Sequence, residues 1–415
     1  MQLPPGAFLL ASVGASTMLI GFVGKPSAGK STFYKAATLA DVLIANYPFA
    51  TIKPNHGTGF VRVERVDKEF GVTANPRFGF LAGGYRFVPT ELMDVAGLVK
   101  DAHKGAGMGN QFLDDLRQAD AFIHIVDVAG ATNDKGEPVE AGSHDPAEDI
   151  LFLETELDMW YLGILKKGWE KFARALAVNK EKKEQALARQ FSGLGVKEDL
   201  MKELLNGLNP PESVADWNDE WLLRIAVALR RRTKPMIIAC NKTDMASGKE
   251  NYAKLKLQFP DHVLIPCSSE CEIALKEAAK HGMISYVPGD SDFSIIASDK
   301  LSGRQKAALS FIKEKVLGVY GSTGVQQVLD AAAFDLLKLI AIFPGGVNKL
   351  EDKDGNILPD CFLMPQGSTA LDFAFRLHTD IGKGFIRAID VRSKRTVGKE
   401  HVLKHRDVIE IVTAR

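Results

Sequence analysis

No charged residue precedes Lys25 in this chain of 415 residues. A secretory signal normally opens on a basic segment, which residues 1–5 lack, and a span ending at Gly24 would put the following glycine-rich loop at the lipid boundary. Export and spanning are therefore disfavoured, and residues 1–17 read as a leader or start-site extension. Cysteine is also scarce. Cys240, Cys267, Cys271 and Cys361 are too few for a disulfide scaffold, so reduced thiols in the cytoplasm are expected. Cys267 and Cys271 have no second pair at a zinc-binding interval. Neither sign of charge is in excess: 52 Lys and Arg balance 52 Asp and Glu, which excludes a global basic field that gathers nucleic acid. Any RNA contact must be local. No repeat of 20 to 50 residues is visible. What remains is ordinary globular usage, with 46% apolar and 25% charged residues and a length suited to about three domains.

Five short apolar runs have the texture of buried parallel strands: residues 18–23, 91–95, 121–128, 235–240 and 262–267. They predict an α/β core with a mostly parallel sheet. Between Asp127 and Pro235 the pattern changes. Residues 145–177 and 181–208 carry apolar side chains at helical spacing among Glu, Lys and Arg. This predicts a helical insertion over 145–232, either a hairpin or helices that cover the sheet. Residues 303–340 again look helical, and short alternating segments after about 341 predict a small β-rich module. The core is then discontinuous, 18–144 and 233–340.

Gly24-Lys25-Pro26-Ser27-Ala28-Gly29-Lys30-Ser31 fits the phosphate-loop pattern, with a strand before it and, from Thr32, a helix after it. Backbone N–H groups and a helix N-terminus can then face phosphates. Lys30 is expected to neutralise the β- and γ-phosphates, and Ser31 to offer a hydroxyl to Mg²⁺. Asp94, at the end of an apolar run, is the expected metal-side carboxylate, and the Gly97 amide can sense the γ-phosphate. Asn241-Lys242-Thr243-Asp244 follows another strand. The Asp244 carboxylate can accept both N1–H and N2–H₂ of guanine, an arrangement adenine lacks; Lys242 would lie along the base plane, and Asn241 would brace the loop. One strand on, Ser268 and Ser269 can present amides to the guanine O6. The ligands implied are GTP or GDP with Mg²⁺.

These motifs, together with Tyr47-Pro48-Phe49-Ala50-Thr51-Ile52-Lys53-Pro54-Asn55 and Lys104-Gly105-Ala106-Gly107-Met108-Gly109-Asn110-Gln111-Phe112-Leu113, resemble those of the Obg superfamily of translation-factor-class GTPases, and within it the YchF-related, archaeal-type branch. The resemblance spans Met18 to Arg415. It implies that Thr51 binds Mg²⁺ and the γ-phosphate, that the insertion is coiled-coil-like, and that the tail from about 341 is a β-grasp-like TGS domain of the kind found in RNA-bound and ribosome-bound proteins. Two departures stand out. Many YchF-type members carry Glu where this chain has Asp244 and are associated with ATP, so Asp244 argues for GTP against part of the family. Potassium-stimulated relatives carry Asn where this chain has Ser27, which removes the basis for expecting such stimulation.

Ras-like GTPases place a water-orienting glutamine directly after Asp-x-x-Gly, whereas this chain has Leu98. Slow hydrolysis is expected, with Lys30, Mg²⁺ and loop amides stabilising charge and another group placing the water. His103 is a candidate for that group, or a solvent-exposed side chain without a role. In the C-terminal module Lys383, Arg387, Arg392, Lys394, Arg395 and Lys399 make a basic stretch near Phe385, either an RNA-facing surface or a solvated sheet face.

Overall fold

A computed structural model describes residues 18–38, 55–95, 117–179 and 181–414. Thr51, Gly97, Leu98, His103 and the leader lie outside the described residues. The described chain is a mixed α/β structure that divides into two compact units. One holds residues 19–34 and 93–270, and the other holds 35–92 and 271–415.

In the first unit β1 (Leu19–Val23), β5 (Ala121–Asp127), β6 (Met236–Asn241) and β7 (Leu264–Pro266) lie side by side in that order, all parallel. Every residue of β1 and β5 is buried. Covering both faces of central parallel strands demands continuous apolar runs, which is why these two were plain in the sequence. The end of β4 (Tyr85–Asp94) enters the same unit, where Val95 N donates to Phe22 O at 3.2 Å. β1 runs into a loop and then α1 (Lys30–Thr38).

Five helices fill the stretch between β5 and β6: α2 (Pro146–Lys166), α3 (Trp169–Asn179), α4 (Lys183–Gln190), α5 (Glu198–Leu208) and α6 (Asp219–Thr233). This is more than the two long helical patterns of the sequence suggest. The chain turns at Gly168, Gly195 and Asn209, all with positive φ, and each break lets another apolar face find a partner. α2 begins on Asp145, whose carboxylate accepts from Ala147 N at 3.0 Å, with Pro146 and acidic residues in the first turn. α2 and α6 are joined by buried Arg230, 2.7 Å from Asp158 and 3.1 Å from Glu154. One apolar core contains Leu19, Val23 and Phe122 from the sheet together with Trp160, Leu187, Met201 and Ile225 from the helices. α2 packs in that core beside the sheet, and α4 and α5 extend it.

In the second unit β2 (His56–Glu64), β4 and the short β3 (Phe80–Ala82) form a hairpin-rich platform. A small pair, β8 (Ile284–Ser285) with β9 (Ser294–Ile295), precedes the C-terminal module. That module orders its strands β11 (Phe362–Pro365), β10 (Leu339–Pro344), β14 (Val408–Thr413), β12 (Phe385–Asp390) and β13 (Arg395–Val397), with β10 and β14 parallel between antiparallel neighbours. Ile340, Ile342, Phe373 and Ile409 lead its core. Buried Arg86 of β4 donates to Leu358 O and Pro359 O at 2.5 and 2.6 Å, and Arg77 pairs with Asp352 and Asp360. The module is therefore fastened to the strands that flank the two expected switch segments. Arg392 is occupied in the same fastening, 2.7 Å from Glu69, and so contributes no free charge to the basic stretch. Arg387, Lys394, Arg395 and Lys399 are exposed.

Candidate functional site

Gly24, Lys25, Pro26, Ser27, Ala28, Gly29, Lys30, Ser31 and Thr32 form the β1–α1 loop and first helical turn, in the strand-loop-helix setting that the motif requires. The loop is wound tightly, with Gly24, Ser27 and Gly29 at φ of 149, 59 and 97°. A Cβ at Gly29 would fall 2.3 Å from Asn241 Nδ2, so that position demands glycine sterically as well as conformationally. Lys30 Nζ donates to Gly24 O and Lys25 O at 3.0 and 2.9 Å, which folds the ammonium back over the loop. Burial pushes the Lys30 pKa down, opposed by the charge of Asp94. A largely buried cation held over a tightly wound loop at a helix N-terminus suits an anion.

Asp94 ends β4 beside this loop. Burial raises its pKa, while the Lys30 charge and a hydrogen bond from Ser31 act the other way. The Ser31 hydroxyl and the Asp94 carboxylate are thus brought together, two hard oxygens of the kind Mg²⁺ takes.

Asn241 ends β6 and links the three motif segments. Its Nδ2 donates to Ala28 O at 3.2 Å, and its Oδ1 accepts from Ser269 N at 3.1 Å and Ser269 Oγ at 2.8 Å. Lys242 Nζ donates to Ser27 O at 3.2 Å and lies 2.8 Å from Asp127 Oδ2. Thr243 closes the loop by donating from N and Oγ1 to Cys267 O. Asp244 is half-buried, and no described residue donates to its carboxylate. Ser268 is fully buried and its Oγ has no hydrogen-bond partner among the described residues. The phosphate loop, the Asn-Lys-x-Asp loop and the serine pair therefore share one locale, whereas Thr51 and Gly97 fall outside the described residues.

Lys25 is the surprise among the motif residues. Its side chain is turned away into the protein, where Nζ donates to Thr132 O at 2.7 Å and lies 2.8 Å from Asp149. Asp149 is also 2.9 Å from His144 Nε2. Only the backbone of Lys25 remains for a phosphate. Sequence reasoning missed Asp127, which is completely buried and also accepts from Thr132 Oγ1 at 2.8 Å. A carboxylate that closes a seven-residue apolar strand was the available signal, the same one that marked Asp94.

Three family models match in succession: a 50S ribosome-binding GTPase over residues 19–153, an Obg-like GTPase YGR210-like G4-motif-containing domain over 239–346, and a TGS domain over 351–413. A GTP-binding protein of Methanocaldococcus jannaschii is 47% identical over 397 residues, 95% of this chain and 99% of that protein. A ribosome-binding ATPase, YchF, of Mycoplasma genitalium is 30% identical, covering 88% of this chain and 86% of that one. The crystal structure of a GTP-binding protein from Pyrococcus horikoshii superposes with a TM-score of 0.75 at 42% identity, over 96% of this chain and all of that one.

Proposed function

We propose a function on one premise: the chain belongs to the Obg-like, YchF-type family of GTP-binding proteins. In this proposal it hydrolyses GTP slowly to GDP and phosphate and acts as a cytoplasmic switch on the ribosome or a related RNA assembly. The observation that carries the reading is the reach of Asn241, which ties the phosphate loop to the serine pair and so gathers phosphate-binding and base-binding elements into one site. Asp244 then presents an uncommitted carboxylate, the acceptor that guanine requires.

The loop amides and Lys30 would hold the β- and γ-phosphates, and Asn241, Lys242, Asp244, Ser268 and Ser269 the base. Ser31, Asp94 and Thr51 would hold Mg²⁺, which when bound would neutralise charge on the phosphates. The donors fit such an ion, because burial leaves the Asp94 carboxyl short of compensating positive charge. With Leu98 after Gly97, no side chain at the usual position orients water, so hydrolysis waits on another group or on a partner. Loss of the γ-phosphate would release Thr51 and Gly97.

A second reading, an ATP-using regulator, draws on the printed names of relatives called ribosome-binding ATPases. Asp244 weighs against it. Single-turnover hydrolysis of GTP and of ATP with Mg²⁺, with and without ribosomes, separates the two. GTP turnover that rises with ribosomes supports the switch, and no turnover of either nucleotide would leave only a binding scaffold. Reversing Arg387, Lys394 and Arg395 should weaken co-sedimentation with ribosomes, and unchanged co-sedimentation would remove that surface from the contact.

A further inference from the structure

We propose that Asp127 is a positioning residue for guanine recognition, acting through Lys242, an inference that rests on the GTP-binding reading of the site.

Asp127 stands at the C-terminal end of β5, between β1 and β6, and is 0% exposed. Both of its carboxylate oxygens are engaged. Oδ1 takes the N–H of Ala129 at 3.2 Å, while Oδ2 takes the Thr132 hydroxyl and the Lys242 ammonium, each at 2.8 Å. Lys242 needs such a holder. Its backbone is left-handed, at φ 67°, a conformation that is unfavourable for lysine and sets the direction in which the side chain leaves the loop. The ammonium is then fixed at two points, the buried carboxylate and Ser27 O of the phosphate loop.

A lysine pinned at its head presents its methylene stem as a fixed apolar plate. Unpinned, it would have to be ordered each time a base docked, and that ordering is subtracted from affinity. The same turn serves the phosphate side, because Thr132, which orients Asp127 through its hydroxyl, accepts from Lys25 Nζ through its carbonyl at 2.7 Å. One buried carboxylate at the end of β5 therefore sets the base-loop lysine, and the residue that steadies it also holds the phosphate loop. Because the contact concerns the base end of the ligand, its loss should affect GTP and GDP alike.

The test uses the full chain and measures equilibrium affinity and dissociation rate for GDP and for GTP with Mg²⁺. Asp127→Asn keeps the shape and removes the charge. It should weaken both nucleotides about tenfold, chiefly through faster dissociation. Lys242→Met should weaken them similarly, and the double variant should lose no more than about threefold beyond either single change, since the two residues act through one contact. A purely structural Asp127 would instead give additive losses, and that result, or unchanged affinity in Asp127→Asn, overturns the inference. If Asp127→Asn does not fold, Thr132→Val removes the orienting hydroxyl while leaving both charges. A loss of about two- to fourfold supports the role, and no loss overturns it. Failure of the wild-type chain to bind GDP or GTP would instead overturn the underlying reading.

Discussion

Lys25 Nζ lies 2.8 Å from Asp149 Oδ2, with side-chain exposures of 2 and 6%. The second residue of the phosphate loop is thereby anchored to the first turn of α2, the helix that opens the inserted bundle. His144 supports the carboxylate from the other side at 2.9 Å.

Removing one partner of a buried pair strands the other charge. Asp149→Ala is expected to destabilise the chain by about 3–5 kcal/mol, read from urea denaturation. Replacing both, Lys25→Met with Asp149→Leu, should recover more than half of that loss, because an apolar pair needs no compensation. A single variant as stable as wild type would show that the pair does not hold in solution.

Lys30 behaves differently. Burial has already lowered its pKa, and among the described residues its ammonium donates to the carbonyls of Gly24 and Lys25. Lys30→Met should leave the melting temperature unchanged or higher while weakening triphosphate binding at least about 100-fold, since it removes a cation aimed at phosphate. Isothermal titration alongside thermal melting checks both halves. A large fall in melting temperature would assign Lys30 a structural role instead.

Acid should loosen the first unit through Glu154. Burial opposes ionisation there, but the hydrogen bond from His262 and the charge of Arg230 together outweigh it and hold the pKa down at about 2. A carboxyl lowered from its ordinary 4.5 contributes stability above pH 4.5 that is lost as the pH falls to about 2. His124, fully buried and pushed down to about 3 by desolvation, adds a second loss as the pH falls from 6.5. Glu154→Gln should therefore flatten the stability curve below pH 4.5 while leaving the slope that His124 imposes. An unaltered acid limb in that variant would contradict the assignment.

The phosphate loop, Asp94 and Asn241 were legible because they sit where largely buried strands end, and such strands announce themselves as apolar runs. β2 was not read, since its GTGFVRVE pattern alternates weakly around two glycines, with Gly59, Val61 and Val63 as its buried residues. Lys25 matched the phosphate-loop pattern, yet its side chain serves Asp149, more than a hundred residues away. No local spacing reports such a pairing. Arg392 belonged to a basic run in the sequence and is spent on Glu69 in the fold. Asp127 carried the same strand-end signal as Asp94, but no sequence spacing shows that β6 brings Lys242 beside it.

The most direct measurement is the affinity of the full chain for GTP and for ATP in the presence of Mg²⁺, repeated with Asp244→Asn. The wild-type chain should bind GTP at least about 100-fold more tightly than ATP, and the variant should lose most of that preference, because an amide in place of the carboxylate cannot accept both guanine donors. Equal affinity for the two nucleotides in the wild-type chain, or an Asp244→Asn variant that keeps its full preference, would contradict guanine recognition at this site.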